Sequence, residues 1–160
     1  MTSIKYQIVY ATPEHIDQLA PMFDTYRVFY DQESDLDASR SFLLDRMVNG
    51  ESSVFLALDP QGRGAGFTQL FPTFSSISVQ RVWVLNDLYV MPFARRQGVA
   101  EALLERALQH AEDTGAKELQ LATAVDNAAA IALYEKMGFA RDEDFYHYFL
   151  TVVSREEATE

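Results

Sequence analysis

The stretch Asn86-Asp87-Leu88-Tyr89-Val90-Met91-Pro92-Phe93-Ala94-Arg95-Arg96-Gln97-Gly98-Val99-Ala100 joins two kinds of periodicity. Upstream, residues 79–90 form a long run of β character. Downstream of Pro92, Leu104, Ala107, Leu108 and Ala111 recur at helical spacing, and Gly115 stands where that helix should stop. A strand, a short basic loop and a helix are therefore predicted, in that order. Small residues at Gly98 and Ala100 let a ligand approach the backbone closely. The free N–H groups of the helix's first turn, with Arg95 and Arg96, favour a phosphate or pyrophosphate. The bland alternative is a basic helix start with a glycine kept for packing.

Working outward toward the N-terminus, residues 6–10 alternate like a strand, and Thr12-Pro13 offers an N-cap and a first-turn proline to a helix bearing Ile16, Leu19, Ala20, Phe23 and Tyr26. The acidic stretch 30–39, with Asp31, Glu33, Asp35 and Asp37, reads as a surface loop. A second helix runs through Phe42, Leu43 and Met47 to Gly50. Residues 54–58, the turn Asp59-Pro60-Gln61-Gly62 and residues 66–74 read as an antiparallel hairpin. Glycines 62, 64 and 66 thus precede a strand and mark a turn, not a phosphate loop. Toward the C-terminus, Leu119 and Leu121 mark a short strand. Residues 127–137 then form a helix closed by Gly138, the aromatic segment 145–153 a last strand, and 154–160 a charged tail.

That order predicts one α/β domain over 1–160, with a core spanning 4–153. Its sheet is mixed and mostly antiparallel, flanked by helices. One parallel pair is expected, because the helix between residues 90 and 119 makes a right-handed crossover. Ligand chemistry belongs at the C-terminal ends of that pair.

Composition narrows the function. The chain has 160 residues, 48% of them hydrophobic, and no cysteine, which excludes disulfides, thiolate metal sites and a cysteine nucleophile. No apolar run reaches the roughly 18 residues of a membrane span, and no signal-peptide pattern opens the chain, so a cytoplasmic protein without membrane contact is expected. A formal charge of −11 repels nucleic acid and suits a cationic amine, as it would suit mere solubility. His15 and His110 fall on predicted helix surfaces and His147 in the last strand. None has metal-ligand spacing, so no metal is expected.

Asn86 to Val90, the pattern Arg95-x-x-Gly98-x-Ala100, and Asn127, Tyr134 and Met137-Gly138-Phe139 together resemble the GNAT superfamily of N-acetyltransferases. The diamine and polyamine type looks nearest, and the predicted element order agrees over residues 4–153. The resemblance implies direct transfer of an acetyl group from acetyl-CoA to an amine, with no acyl-enzyme. It implies a pyrophosphate on Arg95, Arg96, Gln97, Gly98, Val99, Ala100 and Glu101. The pantetheine arm would pair with the backbone of Leu88, Tyr89 and Val90, with Asn127 and Ala130 also on the cofactor side. A backbone N–H near Tyr89 or Val90 would meet the developing oxyanion, and the Tyr134 phenol would protonate the departing thiolate. At helical spacing, an aromatic such as Tyr134 is otherwise a packing residue.

An ammonium substrate must lose a proton before it attacks. Many polyamine-type relatives carry a glutamate where this chain has Asn86, and asparagine cannot accept a proton. Asp87 is adjacent, but alternation along a strand sends neighbours to opposite faces, so Asp87 serves as base only if a bulge re-aims it. A water held by Asn86 and a nearby tyrosine is the alternative. Tyr26, Tyr30, Asp31 and Glu33 are the candidates to bind a cationic amine. The expected partner is a small-molecule amine: a diamine, a polyamine or an amino-acid-like compound. A protein lysine or N-terminus as acceptor, or a binder of acyl-CoA without turnover, are the alternatives. The resemblance also allows a homodimer in contact through 145–153.

Overall fold

A computed structural model describes residues 5–154. Residue 4 of the expected core and residues 155–160 of the expected tail lie outside the described residues. The chain divides into two compact units between Asn127 and Ala128.

The first unit carries β1 (Gln7–Tyr10), a short helical turn (Pro13–His15), α1 (Ile16–Phe29), α2 (Leu36–Val48), β2 (Ser53–Leu58), β3 (Gly64–Ser75), β4 (Gln80–Val90), a second turn (Pro92–Ala94), α3 (Val99–Asp113) and β5 (Glu118–Gln120). The strands form one sheet in chain order, β1-β2-β3-β4-β5. Every pair is antiparallel except β4 with β5, which is parallel. The mixed sheet with one parallel pair is thus as the sequence predicts.

Local chemistry sets the boundaries. The Thr12 hydroxyl accepts from Glu14 N and the His15 imidazole accepts from Thr12 N, so a reciprocal cap opens the first turn ahead of α1. The acidic loop is shorter than expected, 30–35 and not 30–39, because the Asp35 side chain accepts from Ala38 N at 3.0 Å and starts α2 at Leu36. Asp37 then sits in the first turn, where the helix dipole favours a negative charge. The Asp24 carboxylate, on α1, clasps this corner. It accepts from Ser34 Oγ at 2.6 Å, Asp35 N at 2.8 Å and Ser39 Oγ at 2.9 Å, and the Ser34 bond leads in holding its pKa below the usual carboxylate range.

Helices α1 and α2 cover one face of the sheet through Leu19, Phe23 and Leu43 against Leu56 and Phe67. Helix α3 lies against the other face, its Val99 and Leu103 side chains reaching Gly66. A Cβ at Gly66 would stand 2.9 Å from the Tyr89 carbonyl oxygen and 3.2 Å from Val99 Cγ1. Gly66→Ala should therefore destabilise the protein by about 1–3 kcal/mol through overpacking, read as a lower denaturant midpoint. His110 is not on an open helix surface as expected. Its ring tilts against Trp83 at 4.7 Å and meets Phe55 edge-on at 5.3 Å, and burial pushes its pKa below the usual imidazole value.

The second unit holds α4 (Ala128–Lys136) followed by residues 139–154 in neither helix nor strand. The strand expected at 145–153 is not formed there, and Phe145, Tyr146, Tyr148 and Phe149 are exposed. A strand exists only through a ladder with a neighbour, and the described residues of this unit contain no other strand to supply one.

Candidate active site

The decisive local feature is one extra residue in β4. Leu70 pairs with Leu85 and Gln69 with Asp87, so Asn86 has no opposite number on β3. This is a β-bulge, and it reverses the facing of everything beyond it. By strict alternation from Leu85, Asp87 would point toward α3. The bulge turns it instead to the face where Phe67 and Tyr89 meet α1.

There Asp87 is buried and well bonded. Gln69 Nε2 donates to its Oδ2 at 2.8 Å, Asn86 Nδ2 donates to its Oδ1 at 3.2 Å, and the Tyr26 hydroxyl donates to the same carboxylate. Burial pushes the Asp87 pKa above the usual aspartate value, and these three bonds pull only partly against it. Asp87 is thus harder to ionise than a surface aspartate and correspondingly a better proton acceptor once ionised.

Asp87 lines a cavity of about 280 Å³ together with Phe23, Tyr26, Arg27 and Phe42. The rings brace one another: Phe23 stacks on Phe42 at 6.0 Å, and Tyr26 meets Phe67 and Tyr89 edge-on at 5.6 and 5.7 Å. Of the four residues predicted to bind substrate, Tyr26 lines the cavity and Tyr30 packs edge-on against it at 5.1 Å. Asp31 and Glu33 are exposed on the 30–35 loop, outside the lining. Sequence reading missed Phe23, Phe42, Arg27 and Gln69. The two phenylalanines carried only a core periodicity. Gln69, between Thr68 and Leu70 in an apolar strand, was the available signal, because a fully buried amide calls for a polar partner.

A second feature lies at the end of the same strand. Pairing between β4 and β5 stops at Val84 with Gln120, so β4 runs on through Leu88, Tyr89 and Val90 past its parallel neighbour. The chain then turns through Pro92–Ala94 into the basic loop. Arg95 braces that loop, its Nε donating to the Val90 carbonyl at 3.1 Å and its guanidinium lying 5.7 Å from the Tyr89 ring. Gln97 ties it from the other side, accepting from the Tyr6 hydroxyl at 2.9 Å and donating to Phe93 O at 3.1 Å. Arg96 and Gly98 both take the left-handed conformation, at φ 61° and 78°. Gly98 caps α3 without a side chain, so the N–H groups around Val99, Ala100 and Glu101 open the helix with no capping oxygen supplied from Gly98. This arrangement fits a phosphate group.

The remaining candidates lie near or within the second unit. Asn127 immediately precedes α4, its N–H donating to Ala124 O at 3.1 Å, and Ala130 lies in the first turn of α4. Tyr134, later on α4, is half-buried, with its ring 5.9 Å from Phe139. No group of three or more metal-ligating side chains gathers among the described residues, and no helix among them is long and apolar enough to cross a membrane.

Residues 16–139 match the acetyltransferase (GNAT) family. The chain belongs to this family. It is 45% identical over 137 residues to the uncharacterised N-acetyltransferase YhfO of Bacillus subtilis, covering 86% of this chain and 91% of that one. A crystal structure described as a probable acetyltransferase superposes with a TM-score of 0.89 at 47% identity, covering 93% of this chain and 99% of the other. A ribosomal-protein alanine N-acetyltransferase of Escherichia coli is 40% identical over 74 residues, 46% of this chain and 50% of its own. The protein is an acetyltransferase, and enzymes of this fold draw the acetyl group from acetyl-CoA. These relatives support the family at large and not its diamine and polyamine type in particular.

Proposed function

We propose that the protein acetylates the primary amine of a small molecule, with Asp87 as the base that takes the ammonium proton. The observation that carries this reading is the bulge at Asn86, which brings a buried carboxylate of raised pKa into an aromatic cavity. At about 280 Å³ the cavity falls near the lower end of the roughly 300–1,000 Å³ of small-ligand pockets, a size that suits a small amine. With Asp87 facing the cavity, this reading needs no glutamate at position 86.

Acetyl-CoA supplies the activated acyl carbon. On this reading its pyrophosphate rests on residues 95–101 and its pantetheine arm along the backbone of Leu88, Tyr89 and Val90. The strand end beyond Val84, free of β5, offers such backbone groups. A backbone N–H at Tyr89 or Val90 stabilises the oxyanion that forms as the amine attacks. Holding amine and thioester together removes much of the entropic barrier, so few further side chains are required.

Incubation with acetyl-CoA and a panel of primary amines, followed with a thiol-detecting reagent, tests the proposal. CoA release with at least one small amine is expected, and none with any amine would overturn it. Because the E. coli relative acts on the alanine of a ribosomal protein, the panel includes a peptide with an N-terminal alanine. A peptide used well above every small amine would move the assignment to a protein N-terminus. By the family resemblance Tyr134 protonates the leaving thiolate. Tyr134→Phe is expected to lower kcat by about 10²-fold with KM for acetyl-CoA unchanged. Unaltered kcat would make Tyr134 a packing residue.

A further inference from the structure

The cavity lining includes two ionisable residues, Asp87 and Arg27, and the second has no role in the transfer. Arg27 lines it beside Asp87 in a chain where acidic residues outnumber basic ones by 24 to 13. An arginine is an unexpected lining residue for a pocket meant only for cations. Its charge is only partly met inside the protein, by a long ion pair with Asp24. The nearest carboxylate oxygen, Asp24 Oδ1, is 3.8 Å from Arg27 Nη1, beyond hydrogen-bond reach, and Asp24 already accepts from Ser34, Asp35 and Ser39. Glu33 contributes its backbone carbonyl, at 3.4 Å from the same Nη1, and not its carboxylate. Nη1 therefore tethers the group, while Nε and Nη2 meet no hydrogen-bond acceptor among the described residues. The Arg27 side chain is 30% exposed, partly withdrawn from water where an ion pair is worth more than at an open surface.

We propose that Arg27 selects the acceptor by its carboxylate: the substrate is an amino acid, its ammonium group at Asp87 and its carboxylate on the free edge of the Arg27 guanidinium. The assignment rests on the reading of Asp87 as the base of an amine acetyltransferase. Phe23, Tyr26 and Phe42 then face the hydrocarbon between the two charged ends. A planar guanidinium with two adjacent donors open matches a carboxylate, which accepts in a paired geometry. The same group disfavours diamines and polyamines. A second ammonium in a cavity of this size is brought toward Arg27, and like-charge juxtaposition is unfavourable. The −11 charge of the chain draws cations in general toward the surface, and the pocket then discriminates among them.

Three substrate sets test this: free α- and ω-amino acids, their carboxamides, and linear diamines of matching length, assayed by CoA release. Wild-type protein should prefer the best amino acid over its carboxamide by about 10²-fold in kcat/KM. In Arg27→Met the kcat/KM for the amino acid should fall by about 10²-fold relative to that for the carboxamide, which erases the preference. Arg27→Glu should invert it in favour of diamines. Equal use of acid and amide by the wild type, or an acid preference that survives in Arg27→Met, overturns the proposal. Binding of the unreacted amino acid and carboxamide, measured by calorimetry without acyl donor, separates this from the reading beneath it. CoA release with amines but no carboxylate-dependent binding sinks Arg27 as selector and leaves Asp87 standing. Carboxylate-dependent binding lost in Arg27→Met, with no CoA release, supports Arg27 and sinks Asp87 as the base of transfer to a small amine.

Discussion

Asp87→Asn should lower kcat/KM for the amine by about 10²–10⁴-fold, the usual worth of a positioned base, while leaving acetyl-CoA affinity unchanged. Asparagine keeps the shape and its amide oxygen can still accept from Gln69 Nε2, so the cavity should persist and proton removal should be the main loss. The pH profile gives a sharper reading. Burial raises the Asp87 pKa, so the acid limb of kcat/KM should lie above the usual aspartate range in the wild type and vanish in the variant. Stability should move the opposite way from activity. A carboxyl whose folded pKa is raised contributes fully below its unfolded pKa and loses that contribution as pH rises through the folded value. Above its folded pKa the ionised Asp87 therefore weighs against the fold. The asparagine variant should be at least as resistant to denaturant as the wild type above that pKa, with its relative advantage shrinking as the pH falls below it. Equal kcat/KM in the two proteins would leave proton removal to a water instead.

Gly98→Asp should weaken acetyl-CoA binding by about 10²–10³-fold, since setting a negative charge against a bound pyrophosphate costs several kcal/mol. Gly98 sits at φ 78° at the start of α3, so the backbone must tolerate the left-handed region as well as the close approach. Asparagine and aspartate bear that conformation about equally and better than other side chains do, which makes Gly98→Asn the matched control. A large loss in the aspartate variant with a small loss in the asparagine variant assigns the effect to charge. Equal, small losses in both would remove the pyrophosphate from this loop. The measurement is calorimetric titration of acetyl-CoA into protein without amine.

Much of the scaffold is visible in local pattern. Leu104, Ala107 and Ala111 recur at helical spacing and form the buried stripe of α3, and Gly98 and Gly115 bracket that helix as single left-handed residues. The Asp59-Pro60-Gln61-Gly62 turn forms the β2–β3 hairpin because the Asp59 carboxylate accepts from the backbone N–H groups of Gln61 and Arg63 at 2.9 and 2.8 Å. Such features depend on residues a few positions apart. The 145–153 segment marks the limit of that reasoning. A run of aromatic and β-branched residues states a capacity for strand, whereas forming one needs a partner, which the described part of the second unit does not contain.

The sequence by itself determined the element order as far as α4, the mixed sheet, and the strand-loop-helix passage from Asn86 to Ala100 with its left-handed glycine, because periodicity, capping and turn chemistry act over a few residues. The tertiary structure alone decided which way Asp87 faces. One unpaired residue at Asn86 inverts the strand's facing, and that insertion is visible only against the register of β3. It also decided that Phe23 and Phe42, read from sequence as core, wall a cavity, and that Arg27 joins them there. The packing of α1 and α2 over the bulged strand brings these side chains together from positions 23 to 87, a separation no local pattern encodes.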